Sequence, residues 1–104
     1  MKKVLVVFGG VTSEHDVSTV SAKFVIENIP QDKYQVSMLG ITKKGEWFKY
    51  TGDTKNLPED KWTEDKENLT KAFISPDAAT HGLVVFTDEG VKTEYIDVVF
   101  PVMH

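Results

Sequence analysis

The sequence has 104 residues, a length typical of one domain, and its 40% hydrophobic content is enough to build one core. Its net charge of -4 comes from 16 acidic and 12 basic side chains. The sequence has no basic stripe of the kind that nucleic-acid binders show. The absence of cysteine excludes disulfides, thiolate zinc sites and cysteine nucleophiles. The apolar run at residues 4–8 is too short for a signal peptide or a membrane span, so we expect a cytoplasmic protein.

Two fully apolar segments near the ends of the sequence predict buried strands. Residues 4–8 are apolar on both faces and end at a pair of glycines, which is typical of a central parallel strand covered on both sides. Residues 96–102 have the same character. Between these segments the pattern predicts two more strands and a β-hairpin, at residues 34–41, 47–50, 83–86 and 91–95.

A helix is predicted to follow the first strand. Ser13 is a favourable N-cap, and Asp16 three residues later completes an approximate capping box. The helix is predicted to end before Pro30, because the residue that precedes a proline is forced out of the helical region. The stripe predicted to face the core consists of Val17, Val20, Phe24 and Val25.

These elements predict an α/β protein with a Rossmann-like, mostly parallel sheet, flanking helices and an inserted β-hairpin, in one domain that spans residues 1–104. Residues 51–71 are polar and poorly periodic, which predicts a solvated loop with one helical turn near residues 58–62. A parallel strand normally continues into a crossover helix, and nothing follows the strand at residues 96–102. The sequence therefore predicts a truncated domain, or one whose open face a partner covers.

The turn at residues 9–15 is the first candidate site. Glycines allow a tight turn, and the amides at a helix start favour negative charge, so a phosphate could bind there. However, the segment is neither G-x-G-x-x-G nor a P-loop. The carboxylate of Glu14 would repel a phosphate and is better suited to an ammonium group. The alternative, that Glu14 only complements the helix dipole, is favoured when the physics is considered alone.

His104 is the second candidate, since it follows a buried strand just as the glycine pair does. Ligands of open α/β sheets bind beyond the carboxyl ends of the strands. If the two strands are parallel, Glu14 and His104 share one edge and could hold the two ends of an amino acid. A terminal histidine without a role is an equally supported interpretation. The histidines show no metal-ligand spacing, and Ser18 lies outside any nucleophile motif, which favours a structural hydroxyl.

Three segments resemble the beginning of D-alanine–D-alanine ligases. Residues 4–18 contain the strand, the Phe-Gly-Gly turn, a Ser-Glu pair and the Val-Ser pair that opens the helix in that family. Residues 40–47 resemble the exit of its second strand, and residues 97–104 resemble its strand that ends in a methionine–histidine pair. The likeness is strong at both ends and weak at residues 51–87. The chain thus resembles the N-terminal, pre-ATP-grasp part of this ATP-grasp family.

The resemblance implies an ATP-dependent ligase that makes the D-alanyl dipeptide for peptidoglycan. In that reaction the carboxylate of the first D-alanine is phosphorylated by ATP with Mg²⁺, and the amino group of the second D-alanine attacks the acyl phosphate. By this resemblance Glu14 and Ser18 are the catalytic candidates, with Glu14 holding the ammonium group of the first D-alanine and Ser18 supporting it. Val17 would line the same subsite, and His104 would lie near the substrate carboxylate.

The same resemblance assigns ATP and Mg²⁺ to domains outside this chain, so we predict no cofactor or metal ligands here and no activity of the chain alone. The complete ligase is expected to be a homodimer without nucleic-acid or membrane partners, and D-lactate stays open as its second substrate. The alternative is a non-catalytic Rossmann-like module that binds a nucleotide or a protein. A dinucleotide binder would need a third glycine and an acidic residue after the second strand, and both are missing.

Overall fold

The computed structural model of the chain describes residues 1–77 and 79–102, and within them it contains one α-helix and a seven-stranded sheet. The helix α1 spans His15–Asn28. None of the helices in the described residues has the length and apolar composition needed to cross a membrane. The strands are β1 Lys2–Gly9, β2 Tyr34–Ile41, β3 Trp47–Tyr50, β4 Leu69–Ile74, β5 Gly82–Thr87, β6 Gly90–Tyr95 and β7 Val98–Val102.

The sheet has the order β6-β5-β4-β3-β2-β1-β7, with β1 between two parallel neighbours. Phe8 of β1 lies opposite Gly40 of β2 and Val102 of β7, so the three strands end at the same edge. The α/β class and the inserted hairpin are confirmed. The sheet is less parallel than predicted, because the chain reverses direction after β2 and each of the next four strands pairs antiparallel with the strand before it.

Both faces of β1 are covered by other parts of the chain. Val4, Val6 and Phe8 point to a cluster shared with α1 and with the segment of 3-10 helices at residues 54–68. Leu5 and Val7 point to the opposite cluster, which β4 and β5 help to close. This face of β1 is therefore covered by strands of the same chain. At the edge of the sheet, β7 still exposes apolar side chains, namely Val98, Val99 and Phe100.

The start of α1 differs from the sequence prediction. The helix begins at His15 with Glu14 as its N-cap, and no side chain caps it by a hydrogen bond. The predicted capping box of Ser13 and Asp16 is therefore wrong, and Asp16 instead forms an ion pair with Lys43. The predicted end of the helix is confirmed, because the chain turns to an extended conformation at Ile29.

The predicted core stripe of α1 is wrong for three of its four residues, whereas Val25 is partly buried against the core as predicted. Val17, Val20 and Phe24 are 49%, 56% and 69% exposed. The face that packs against the sheet is formed by His15, Ser18, Thr19, Ala22 and Ile26. Polar side chains can occupy this face because their hydroxyls are satisfied locally; Thr19 Oγ1, for example, donates to the carbonyl of Asp16 at 2.9 Å. The helix is apolar on two opposite sides, and hydrophobic spacing alone does not decide which side is buried.

Residues 51–71 do not form a solvated loop. Leu57 and Trp62 are fully buried, and three 3-10 helices followed by the start of β4 occupy the segment. The helical turn predicted near residues 58–62 is only partly correct, because Glu59 and Asp60, with φ values of 63° and 57°, interrupt the 3-10 helix Pro58–Glu64. The indole ring of Trp62 packs edge-on against Phe8, with ring centroids 5.2 Å apart. The segment thus contributes the largest side chain of the core beneath α1.

Glu94 of β6 connects the hairpin to the central strands. Its two carboxylate oxygens accept hydrogen bonds from Ser37 of β2 and Lys49 of β3. Burial by itself raises the pKa of the Glu94 carboxyl, but hydrogen bonds from Lys49 and Ser37 and the charges of Lys49 and Lys3 outweigh it, and the pKa is held below its usual value. A carboxyl with a lowered folded-state pKa stabilises the fold above its unfolded pKa, and this contribution is lost as the pH falls.

We expect Glu94→Gln to lower the free energy of unfolding by about 1 kcal/mol at pH 7, after allowance for solvent screening. The difference from the unsubstituted chain should shrink below about pH 4, where the unfolded carboxyl is protonated. Urea unfolding at pH 7 and pH 3 measures both values. Glu89→Gln on the same hairpin is the control, since the Glu89 side chain is 83% exposed. An equal loss of stability at both pH values would contradict this assignment.

Candidate functional site

The turn after β1 lies at the carboxyl edge of the parallel strands and depends on two glycines. Gly9 and Gly10 have φ values of 91° and 107°, which side chains rarely tolerate. The amide of Gly10 donates to the carbonyl of Ile41 at 2.8 Å. A Cβ atom on Gly9 would lie 2.1 Å from the Ile41 carbonyl oxygen. The glycine pair is therefore what lets this turn lie directly against the end of β2.

Ser18 joins the ends of β1 and β7 from behind the turn. Its hydroxyl is fully buried, accepts a hydrogen bond from the amide of Gly9 at 2.8 Å, and donates to the carbonyl of Val102. Both bonds go to backbone groups, so the hydroxyl is engaged in holding the strand ends together. This contact agrees with the interpretation of Ser18 as a structural hydroxyl.

Glu14 is exposed at the N-cap position of α1. Its amide donates to Thr12 Oγ1 at 3.3 Å, while its carboxylate forms no hydrogen bond or ion pair with any residue that the structure describes. Val17 follows three residues later, which places it on the same side of the helix. The edge thus carries an unpaired carboxylate beside an exposed apolar side chain.

His104 lies outside the described residues. The strand that leads to it ends with Val102 paired to Phe8, so β7 runs toward the same edge as β1. The parallel arrangement that a shared site of Glu14 and His104 requires is confirmed. The position of the His104 side chain remains a prediction.

The sequence interpretation missed a buried histidine at this edge. His15 is 1% exposed, its Nδ1 atom lies 2.7 Å from the carbonyl oxygen of Gly10, and its Nε2 atom lies 2.7 Å from Asp60 Oδ1. His15 had been considered only as a metal ligand, and its partner lies 45 residues away in a segment predicted to be solvated. The one available signal was the position of His15 next to Glu14.

Asp60 is the centre of a small polar network. Its Oδ1 atom also accepts a hydrogen bond from Trp62 Nε1 at 3.1 Å, and its Oδ2 atom lies 3.9 Å from Lys43 Nζ. The same ammonium group lies 3.2 Å from Asp16 Oδ1. One ligand atom each from His15, Asp16 and Asp60 lies within 4.8 Å of the others, a spacing that could hold a metal ion. Because Lys43 already places a cation among these carboxylates, we interpret the group as an ion-pair network.

The acidic start of α1 disfavours a nucleotide phosphate at this turn. The amides of Gly9, Gly10, Glu14 and His15 all have acceptors within the protein. Two carboxylates, those of Glu14 and Asp16, lie at the start of the helix and would repel an anion. The arrangement is suited to a cationic group beside Glu14.

A mixed α/β sheet with parallel central strands defines a Rossmann-like domain. Residues 3–104 match the sequence profile of the family described as D-ala D-ala ligase N-terminus. The chain therefore belongs to the family of D-alanine–D-alanine ligase N-terminal domains, as the sequence resemblance indicated.

Similar proteins agree with this assignment. The chain is 44% identical over 103 residues to a D-alanine–D-alanine ligase of Thermoanaerobacter sp. (strain X514), covering 99% of this chain and 28% of that protein. A D-alanine–D-alanine ligase of Caldicellulosiruptor bescii is 45% identical over 102 residues, covering 98% of this chain and 27% of that protein. The chain thus spans little more than a quarter of the length of these relatives.

Solved structures confirm the fold. The VanG D-Ala:D-Ser ligase from Enterococcus faecalis superposes with a TM-score of 0.91 at 37% identity, covering 99% of this chain and 29% of that one. The D-alanine–D-alanine ligase from Coxiella burnetii gives a TM-score of 0.79 at 21% identity, covering 100% of this chain and 29% of that one, and shows the fold alone.

Proposed function

We propose that this chain is the N-terminal part of an ATP-dependent D-alanine–D-alanine ligase and forms one wall of the site for the first D-alanine. The observation that carries the proposal is the carboxylate of Glu14, which has no partner among residues 1–77 and 79–102, on a glycine turn at the carboxyl edge of parallel strands. This edge is where α/β sheets bind ligands. A carboxylate held there can accept charge-assisted hydrogen bonds from an ammonium group.

Each candidate residue has a specific task in this proposal. Glu14 binds the ammonium group of the first D-alanine, and Val17 contacts its apolar part. Ser18 takes part from the buried side, because its hydroxyl fixes the turn relative to β7. His104 binds near the substrate carboxylate, so that the two ends of the amino acid are held by different side chains.

ATP and Mg²⁺ belong to the proposed reaction, and we assign them to parts of the ligase outside this chain. The bonded amides and the acidic start of α1 support this assignment, since they leave the turn unsuited to phosphate. The chain alone is then inactive, and the complete enzyme works in the cytoplasm as a homodimer that supplies peptidoglycan synthesis. The same features oppose the alternative of a nucleotide-binding module. The name of the VanG relative, a D-Ala:D-Ser ligase, leaves the second substrate open.

Glu14→Gln in the complete ligase tests the proposal. We expect the KM for the first D-alanine to rise about 10- to 100-fold, because a hydrogen bond to a charged group contributes about 1.5–3 kcal/mol. The KM for ATP should stay the same. Steady-state kinetics with each substrate varied in turn measures both constants.

Glu27→Gln is the matched control for this experiment. Glu27 lies on the same helix near its other end, exposed and paired with Lys23 at 3.0 Å. This substitution should leave both KM values within about twofold, since surface ion pairs contribute little. An unchanged KM for D-alanine in Glu14→Gln, or a rise confined to ATP, would refute the role of Glu14.

A further inference from the structure

The buried imidazole of His15 has no task in the proposed reaction, although it lies next to Glu14 in the chain. Both of its ring nitrogens lie 2.7 Å from oxygen atoms, the Gly10 carbonyl on one side and the Asp60 carboxylate on the other. The ring is 1% exposed, so no solvent shell stabilises it. A buried polar ring with two such contacts has a defined orientation.

The contacts determine where the protons of the ring lie. A carbonyl oxygen only accepts hydrogen bonds, so Nδ1 of His15 carries a proton. Asp60 Oδ1 already accepts from Trp62 Nε1 at 3.1 Å, and its Oδ2 faces the ammonium of Lys43. The Nε2 atom of His15 lies within hydrogen-bond distance of the same Oδ1 atom. His15 and Asp60 therefore form a part-buried, hydrogen-bonded imidazole–carboxylate pair.

The pair closes the turn that carries Glu14. The hydrogen bond from Nδ1 of His15 to the Gly10 carbonyl links the first and last residues of the segment 10–15. Glu14 lies within the loop that this bond closes. The amide of Gly10 is bonded to Ile41, which anchors the loop to β2. We propose that His15 is a positioning residue of the D-alanine ammonium site: its bond to Gly10 orients Glu14, and Asp60 holds the ring in place. This inference rests on the proposed function of Glu14.

Two substitutions in the complete ligase separate the two bonds of the ring. The side-chain amide nitrogen of His15→Asn matches the position of Nδ1 and can keep the bond to Gly10. That of His15→Gln matches Nε2 and can keep the bond to Asp60 while losing the one to Gly10. We expect His15→Gln to raise the KM for the first D-alanine about tenfold with the KM for ATP unchanged, and His15→Asn to stay within about threefold.

The double variant shows whether His15 acts through Glu14. In the Glu14→Gln background, His15→Gln should add no further rise in the KM for D-alanine. A full multiplicative rise, or equal effects of His15→Asn and His15→Gln, overturns the positioning role. An unchanged KM in Glu14→Gln alone would instead overturn the proposed function of Glu14, so the two failures are distinguishable.

A measurement on the unsubstituted ligase covers the case in which a variant does not fold. Nuclear magnetic resonance of the ¹⁵N-labelled imidazole should show a proton on Nδ1 of His15, because the bond to the Gly10 carbonyl requires a donor there. A ring that carries its proton only on Nε2 overturns the bond to Gly10 and the proposal with it.

Discussion

Replacing Trp62 with alanine should lower the free energy of unfolding by about 3–5 kcal/mol. The side chain is fully buried and packs edge-on against Phe8 and Tyr50, with ring centroids 5.2 and 6.1 Å away. Removing the indole leaves a cavity between the sheet and the 3-10 segment. Because a domain is typically stable by about 5–15 kcal/mol, this single change would remove a large share of the total.

Urea unfolding of the chain measures this loss of unfolding free energy, and two further variants serve as controls. Trp62→Phe keeps an aromatic ring in the core while losing the N–H bond to Asp60, so it should cost less than alanine. Phe24→Ala should change stability by no more than about 0.5 kcal/mol, since Phe24 is 69% exposed. If Phe24→Ala lowered the free energy of unfolding more than Trp62→Ala, Phe24 could not lie on the exposed face of α1.

Gly9→Ala should also be strongly destabilising, by roughly 2–6 kcal/mol. A non-glycine residue in such a backbone conformation costs about 1–3 kcal/mol, and forcing an atom into a packed site costs about as much again. The added Cβ would meet the backbone carbonyl of Ile41 at 2.1 Å, and neither strand end can move without breaking the sheet. The substitution should also displace Glu14, because the turn leads directly to it.

Gly90→Ala is the control that measures the cost of backbone strain without a steric clash. Gly90 has a φ of 118° in the hairpin turn, but a Cβ there would meet nothing within 4 Å. We expect a loss of about 1–2 kcal/mol for this variant, due to backbone conformation alone. Thermal unfolding of both variants gives the comparison. Equal losses would show that the close approach of Gly9 to β2 is not what requires glycine.

Strands and turns were largely predictable from the sequence, because their signals are local. The strand β2 and the hairpin were predicted from short apolar runs bounded by polar turns, and the structure confirms both. The start of β4 was not predicted, since Leu69 and its neighbours alternate weakly within a polar stretch. Trp62 is buried by residues distant in the sequence. The polar composition of its own segment predicts the opposite, a segment exposed to solvent.

The candidate site was predictable only in part. Glu14 and the glycine turn were identified from the chain itself and from family resemblance, and the parallel strands place them at the expected edge. The pair of His15 and Asp60 was not identified, because a hydrogen bond between side chains 45 residues apart leaves no periodic signal. Ser18 illustrates the same limit: its two backbone partners become visible only when the strands are assembled.

The bond between Ser18 and Val102 joins residues 84 positions apart. On a ribosome, where a chain emerges from its amino end, this bond can form only after the whole segment between Ser18 and Val102 has been synthesised. Contacts so distant in sequence slow folding, because the intervening chain has to be ordered first. The acidic turn therefore reaches its working shape only after β7 has joined the sheet.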